Sequence, residues 1–297
     1  MSELVICIAD LHGHLDKLIN LWNNIETKFS SNPHFQSCEV IFLGDYVDRG
    51  FDSKGVLSFL VQLKHHFPQQ RHTFLAGNHD LSMAFFLGLH PKTKENETVN
   101  WKATWENDTW YTQRGERETW WKDNKSMNGI KIEDQMHLQG RRWGATLMRG
   151  DSVYNSKSTF ESYGVEHGDR EGLLNALPEE HKEFLLNMEW IYETKLQDGT
   201  RIIAVHAGLE YDRGVESQIE LLKKKRCDCS YIECLSGREN VLHIPKEMEK
   251  MEKVLLVSGH HGFKYMKGKR VVIDEGGGSP MKSLTAIAFP SFEIIHS

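Results

Sequence analysis

Nine polar residues stand in five short turns, each after an apolar run: Asp10 and His12; Asp45, Asp48 and Arg49; Asn78 and His79; His206; and His260. They are carboxylates, imidazoles and an amide, the donors that divalent transition metals accept, with one guanidinium suited to an anion. The chemistry such a set allows is that of a cation centre facing an oxyanion. Met alone, any one of these histidines reads as a core histidine with a satisfied hydrogen bond. Five separate turns delivering such groups read differently, because burying that many polar side chains without a cation or partner is costly.

The elements that must bring them together repeat one pattern three times in the first ninety residues: a β-branched apolar run, a polar glycine-containing turn, then helical spacing. Strands are expected from Leu4 to Ala9, Val40 to Leu43 and Thr73 to Ala76. Helices are expected around Leu15 to Ile25, around Val56 to Phe67, and from the third turn to about Leu87. This is βαβ grammar, and in open α/β sheets ligands collect beyond the carboxyl ends of strands, where these residues fall. Ser158 to Met188 reads mostly helical, with Pro178 at a helix start and Glu179 and Glu180 near its positive end. Strands resume at Arg201 to Val205, Val254 to Val257, Val271 to Ile273 and Leu284 to Phe289, read together as a second sheet.

Between about Leu89 and Gly150 the pattern breaks, and six of the eight tryptophans (Trp101, Trp105, Trp110, Trp120, Trp121 and Trp143) fall there. The segment reads as an insertion whose aromatics build a satellite core, a substrate wall, or both.

Composition narrows the class. Of 297 residues, 39% are hydrophobic and 26% charged, with only 7 prolines, which suits a folded chain with a real core. No apolar run approaches a membrane span, and the first residues lack the basic region of an export signal. A net charge of −6 gives no general field for nucleic acid. Five cysteines, odd in number, read as free cytosolic thiols; Cys227, Cys229, Cys234 and His243 lack the paired spacing of a zinc site. The cation run Lys223 to Arg226 reads as a solvated helix end in preference to a nuclear address, so the chain is expected in the cytoplasm, with the nucleus left open.

At this point the residues carry a resemblance. Asp10-Leu11-His12-Gly13, Gly44-Asp45-Tyr46-Val47-Asp48-Arg49-Gly50, Gly77-Asn78-His79-Asp80, His206-Ala207-Gly208 and Gly259-His260 resemble, in order and spacing, the five signature blocks of the calcineurin-like metallophosphoesterases, phosphoprotein phosphatase branch. Ser158 to Gly164, Leu177 to Phe184 and Ile273 to Gly277 resemble the bacterial-type members. Together with His137 to Trp143 and Ser258 to Gly262, they look closest to the plant Rhizobiales-like protein phosphatases.

The resemblance implies an α/β fold, a two-sheet β-sandwich flanked by helices, as one metallophosphatase domain over 1–297 with the Trp-rich 89–150 inserted in it. It implies two divalent metal ions, Mn, Fe or Zn: one on Asp10, His12 and Asp45, the other on Asp45, Asn78, His206 and His260, with Asp45 bridging. A hydroxide between the metals would attack phosphorus directly, without a covalent enzyme intermediate. His79 matches the family's general acid, Asp48 would orient its imidazole, and Arg49 would grip the phosphoryl oxygens with its planar fork. For a second phosphate-binding arginine Arg238 is the best match, with Arg141 and Arg142 as competitors. Ala9 replaces a usual glycine and Asp80 a frequent glutamate, and neither change removes a ligand. Gly262 stands where the wider superfamily has a further histidine, which leaves water to complete the first metal.

No cysteine is followed six positions later by arginine, so the thiolate route to phosphotyrosine lacks its motif. Kinship with the Rhizobiales-like group nevertheless implies phosphotyrosine as the favoured ester. A tyrosine leaving group, with pKa near ~10, leans less on its general acid than a serine alkoxide. The expected partners are phosphorylated proteins or peptides, not nucleic acid or membrane. Arg114, Arg117, Arg141 and Arg142 are expected to offer cations to a second phosphate on the same peptide. Two alternatives stand beside this reading: a phosphodiesterase or dinucleoside polyphosphate hydrolase on the same metals, and a scaffold that has lost catalysis. The presence of every proposed ligand and of His79 disfavours the second.

Overall fold

The computed structural model describes residues 2–89, 139–145, 150–225 and 232–297. Among the described residues, ten strands form two five-stranded sheets. The first has the order β10-β9-β1-β2-β3, with β1 at Val5–Ile8, β2 at Glu39–Phe42, β3 at Arg71–Phe74, β9 at Thr285–Phe289 and β10 at Glu293–His296. The second has the order β4-β5-β6-β8-β7, with β4 at Tyr192–Lys195, β5 at Arg201–Ala204, β6 at Val254–Ser258, β7 at Lys264–Lys267 and β8 at Arg270–Ile273.

Period-two alternation makes this a sandwich. In β1 every residue is buried, yet Val5 and Cys7 join the apolar layer between the sheets while Ile6 and Ile8 join the layer beneath the helices. Ile41, Ile202, Ala204, Val257, Val271, Ile273, Ile287 and Phe289 belong to the same inner layer. The outer layer is covered by α1 (Leu15–Phe29), α2 (Ser53–His66), α3 (Asn78–Leu87), α4 (Lys157–Ser162), α5 (Arg170–Ala176), α6 (Glu179–Asn187) and α7 (Val215–Lys223), with the short α8 (Glu233–Ser236) beside them. Asp52 caps α2 by accepting the Gly55 N–H at 2.7 Å. Pro178 precedes α6, whose first turn carries Glu179 and Glu180. The stretch read as mostly helical is thus three short helices, α4 to α6.

One expectation is corrected. Leu284 to Phe289 does not join the second sheet: β9 runs antiparallel to β1, with Val5 opposite Phe289 and Ile8 opposite Ala286. The order β1-β2-β3 grows in one direction and leaves the far edge of β1 bare. β9 and β10 cover that edge, and an uncovered edge strand is a liability.

Among the described residues no helix is long and apolar enough to cross a membrane. Cys7, Cys38 and Cys234 are buried free thiols. Lys223, Lys224 and Lys225 end α7 and pair with Glu193, Glu220 and Glu189. Arg226, Cys227 and Cys229 lie outside the described residues, as do Trp101, Trp105, Trp110, Trp120, Trp121, Arg114, Arg117 and His137.

Candidate active site

The parallel pairs β1–β2–β3 and β5–β6 point their carboxyl ends to one rim, and the polar turns leave from there. The turns interlock through their backbones. Leu11 and His12 both donate their N–H to the Asp45 carbonyl at 2.9 Å, and Gly50 donates to the His12 carbonyl at 2.8 Å. Local strain is concentrated here: His12, Asp45, Asp48, Arg49 and His260 are five of the nine non-glycine residues at positive φ among the described residues. Gly44 sits at φ 101° with Gly77 so close that a Cβ on it would meet the Gly77 nitrogen at 2.5 Å.

These turns bring the expected ligands together. Oδ2 of Asp45 lies 3.5 Å from Nε2 of His12 and 3.4 Å from Nε2 of His206. Nε2 of His206 is also 3.4 Å from the Asn78 side-chain oxygen and 3.2 Å from Nδ1 of His260. Oδ2 of Asp10 is 3.9 Å from Nε2 of His12, and both Asp10 oxygens accept the His260 backbone N–H at 3.1 Å. Asp10, His12, Asp45, His79, His206 and His260 are all buried.

Hydrogen bonding bears on whether this cage fits cations. His12 gives its Nδ1–H to the Val47 carbonyl at 3.0 Å and His206 gives its Nδ1–H to the Leu43 carbonyl at 2.6 Å. Each therefore aims its Nε2 at the Asp45 carboxylate, while the buried Nε2 of His260 has no hydrogen-bond partner among the described residues. Imidazole nitrogens converging on a buried carboxylate call for positive charge between them, and oxygen and imidazole donors suit divalent metals. Two groups, one around His12 and Asp45 and one around Asp45, His206 and His260, have their donor atoms close enough to share an ion. His79 falls geometrically in the first group, but its two nitrogens are already engaged, as described next.

Charges follow from this packing. Burial pushes Asp45 up, yet the imidazoles of His206, His79 and His12 outweigh it and hold the carboxyl well below its ordinary range. Burial, then the charges of Asp274 and Asp45, raise Asp10 well above that range. Burial keeps His12 and His260 neutral, helped by Arg49 for the first and His206 for the second. Burial also opposes charge on His206, but Asp45 and Asp10 overcome it and lift the imidazole to about 9. His206 thus holds a proton against Asp45 that a bound cation would displace.

Beside this cage, His79 donates from Nδ1 to Oδ2 of Asp48 at 2.7 Å, and Asp48 is fully buried. Arg49 donates to Nε2 of His12 at 2.9 Å, to Nε2 of His79 at 3.0 Å and to the Gly277 carbonyl. Arg238 is exposed and anchors on the His260 carbonyl at 2.6 Å. Arg141 and Arg142 lie in a helical turn at 139–144, where Arg142 donates to Gln139 at 3.3 Å. Gln139 also accepts from the Tyr154 hydroxyl at 2.6 Å, and the Tyr154 ring stands edge-on to His79 at 5.0 Å.

Three residues escaped the sequence reading as parts of the site, and a fourth, Asp80, is named there only as a departure from the family's pattern. Asp80 accepts the backbone N–H of Asp45, Tyr46 and Gly77, so it supports the bridging turn and not His79. Asp274 accepts from Gly262 at 2.6 Å and Gly277 at 2.9 Å, fixing the loop whose carbonyls receive Arg49 and His14. As a carboxylate at the end of β8 it carried the same positional signal as Asp10. Arg270 is buried, has no carboxylate partner among the described residues, and donates to the Ala207, Val241, Leu242, Leu256 and Val271 carbonyls and to Ser258. Burial pushes it down to about 9, still a cation at neutral pH. Trp143 donates its indole N–H to Asp48.

Comparison with known proteins agrees with this arrangement. A family model for calcineurin-like phosphoesterases matches residues 4–279. A Caenorhabditis elegans protein, F44B9.9, whose name gives no activity, is 37% identical over 84 residues, 27% of this chain and 33% of that protein. A Schizosaccharomyces pombe protein, C22H10.04, whose name suggests a serine/threonine-protein phosphatase, is 34% identical over 80 residues, 27% of this chain and 24% of its own. The matched stretches therefore span a third or less of these curated relatives. Among solved structures, a Shewanella cold-active protein-tyrosine phosphatase covers 97% of this chain and 76% of its own at 13% identity and a TM-score of 0.49. A protein suggested to be a diadenosine tetraphosphatase covers 100% and 94% at 16% identity, also with a TM-score of 0.49. At that level of similarity neither speaks to substrate.

Proposed function

Because the chain belongs to the calcineurin-like phosphoesterase family, we propose that it is a metal-dependent phosphoprotein phosphatase hydrolysing phosphomonoesters, with phosphotyrosine preferred. The observation that carries this reading is the convergence of His12 and His206, each through Nε2, on one carboxylate oxygen of Asp45, with the His79–Asp48 pair alongside. Asp10, His12 and Asp45 would hold one divalent cation, and Asp45, Asn78, His206 and His260 the other. Bound there, the cations would supply a water acidic enough to act as nucleophile near neutral pH.

The chain's own residues do the rest. Arg49, within 3.0 Å of both His12 and His79, can turn its fork to phosphoryl oxygens lying between those rings. Arg238, anchored on the His260 carbonyl, offers the second cation. Once Arg49 turns to phosphate, the Nε2 of His79, fixed through Nδ1 by Asp48, is freed to carry a proton to the departing oxygen. An aryl leaving group suits the surroundings: the Tyr154 ring borders His79, and Phe51, two residues past Arg49, is 84% exposed. Phosphorylated proteins or peptides are the proposed substrates.

A panel of phosphotyrosine and phosphoserine peptides, dinucleoside polyphosphates and phosphodiesters, run on metal-stripped and Mn-restored protein, tests the reading. Phosphopeptide turnover that returns with Mn and falls to background in Asp45→Asn is the expected result. Preference for diesters or dinucleoside polyphosphates, or turnover indifferent to metal, would overturn it.

A further inference from the structure

We propose that Trp143 is a positioning residue for proton delivery, its indole N–H acting with the Thr159 hydroxyl to lock the Asp48 carboxylate that aims His79. The proposal rests on the reading of His79 as general acid. Oδ2 of Asp48 receives two donors, Nδ1–H of His79 and Nε1–H of Trp143, each at 2.7 Å. Oδ1 receives the Thr159 hydroxyl, also at 2.7 Å, and Thr159 in turn accepts the Asp48 backbone N–H at 2.9 Å. With both oxygens engaged, rotation of the carboxylate breaks at least one charge-assisted bond. Remove the indole donor and Oδ2 is held by the imidazole alone, so the pair that must stay fixed loses its external reference.

Trp143 is itself held firmly enough to serve. It is fully buried, with its ring 5.1 Å from Phe160 and 5.3 Å from Phe86, and its carbonyl accepts from the Ser156 hydroxyl at 2.5 Å. It belongs to the turn that also carries Arg141 and Arg142, so residues expected near substrate and the support of the acid lie on one short segment. Of the six tryptophans in the segment read as an insertion, this one is neither exposed wall nor satellite core.

The test compares kcat and KM of the Mn-loaded protein on a phosphoserine peptide and on an activated aryl phosphate, in Trp143→Phe, Thr159→Val, Thr159→Ser and His79→Ala. Phe keeps an aromatic ring and deletes the donor; Val keeps the shape of Thr and deletes the hydroxyl. Trp143→Phe and Thr159→Val should lower kcat on the phosphoserine peptide roughly tenfold, a fraction of the full acid contribution. Their loss on the aryl ester should be several times smaller, with KM and metal content held, and Thr159→Ser should restore the rate. If His79→Ala discriminates between the esters but Trp143→Phe and Thr159→Val lose equally on both, or lose nothing, the positioning role is wrong and the acid assignment stands. If His79→Ala itself loses equally on both, the acid assignment falls and takes this proposal with it. Should Trp143→Phe not fold, the Thr159 pair and the indole N–H resonance of Trp143 decide: a solvent-protected signal that shifts in Asp48→Asn supports the contact, and an unmoved one overturns it.

Discussion

Asp80 lies directly behind Asp45, its Oδ2 accepting the Asp45 backbone N–H at 2.7 Å while its Oδ1 accepts that of Tyr46 at 2.8 Å. A third bond, from Gly77 at 3.0 Å, ties the turn after β2 to the turn after β3. Replacing a carboxylate by an amide here sets an NH2 against a backbone N–H. Asp80→Asn should therefore weaken Mn binding by about 10- to 100-fold, the usual cost of losing an outer-shell partner, read as the Mn concentration giving half-maximal activity. The ratio of phosphoserine to aryl phosphate rates should hold, because Asp48 and His79 are untouched; a changed ratio would place Asp80 behind the acid instead.

Arg141 and Arg142 are proposed as a second handle on substrate. In Arg141→Ala/Arg142→Ala protein, kcat/KM for a doubly phosphorylated peptide should fall about tenfold or more, as expected for losing charged hydrogen bonds, with a much smaller drop for the singly phosphorylated one. Equal losses would remove these residues from phosphate recognition.

Arg270 bolts three loops together, since its acceptors come from the His206 block (Ala207), the Arg238 loop (Val241, Leu242) and the strand leading to His260 (Ser258). Arg270→Met fills the space but strands these buried acceptors. Unfolding free energy from urea titration should drop by about 3 kcal/mol or more. A loss under about 1 kcal/mol, the scale of one ordinary hydrogen bond, would mean that the carbonyls find other partners.

His72 supplies a pH dependence away from the metal cage. Burial, then nearby Lys64, lowers it from an ordinary 6.5 to about 4, and its buried Nδ1 has no partner among the described residues. The folded state thus resists a proton that the unfolded state takes up below about 6.5. Stability from this group is intact above that pH and is lost as pH falls toward 4. His72→Phe, which keeps an aromatic ring near Trp22 and Phe74, should flatten part of the fall in urea midpoint between pH 7 and pH 5. An unchanged slope would show that other groups control acid sensitivity.

The central strands and their turns were legible because period-two burial and polar strand ends are written locally: β1, β2, β5 and β6 lie within a residue or two of their expected positions, and all the proposed ligands fall in one rim. The edge strands β4, β7 and β10 were not legible. Residues such as Tyr192 to Lys195 and Lys264 to Lys267 are half-exposed and charged, and pairing with a neighbour alone makes them strands. The sheet that β9 would join was equally hidden, since Ala286 and Ile287 alternate identically on either edge and only the vacancy beside β1 decides. Asp48 was placed with His79 from its motif, whereas the indole of Trp143, 95 residues further on, could not be paired with it by any local pattern.

The antiparallel seam between β1 and β9 also orders events during synthesis. Asp10 lies at the end of a strand whose one neighbour, β2, emerges from the ribosome promptly, while the other is made nearly 280 residues later. Its carboxylate is clasped by the amide of His260, which is 250 residues distant. A nascent chain can condense β1-β2-β3 with α1 and α2 early, in the usual N-terminal-first manner. The half-built rim must then wait, carboxylates and imidazoles in place but unenclosed, until the distal strands arrive to close it.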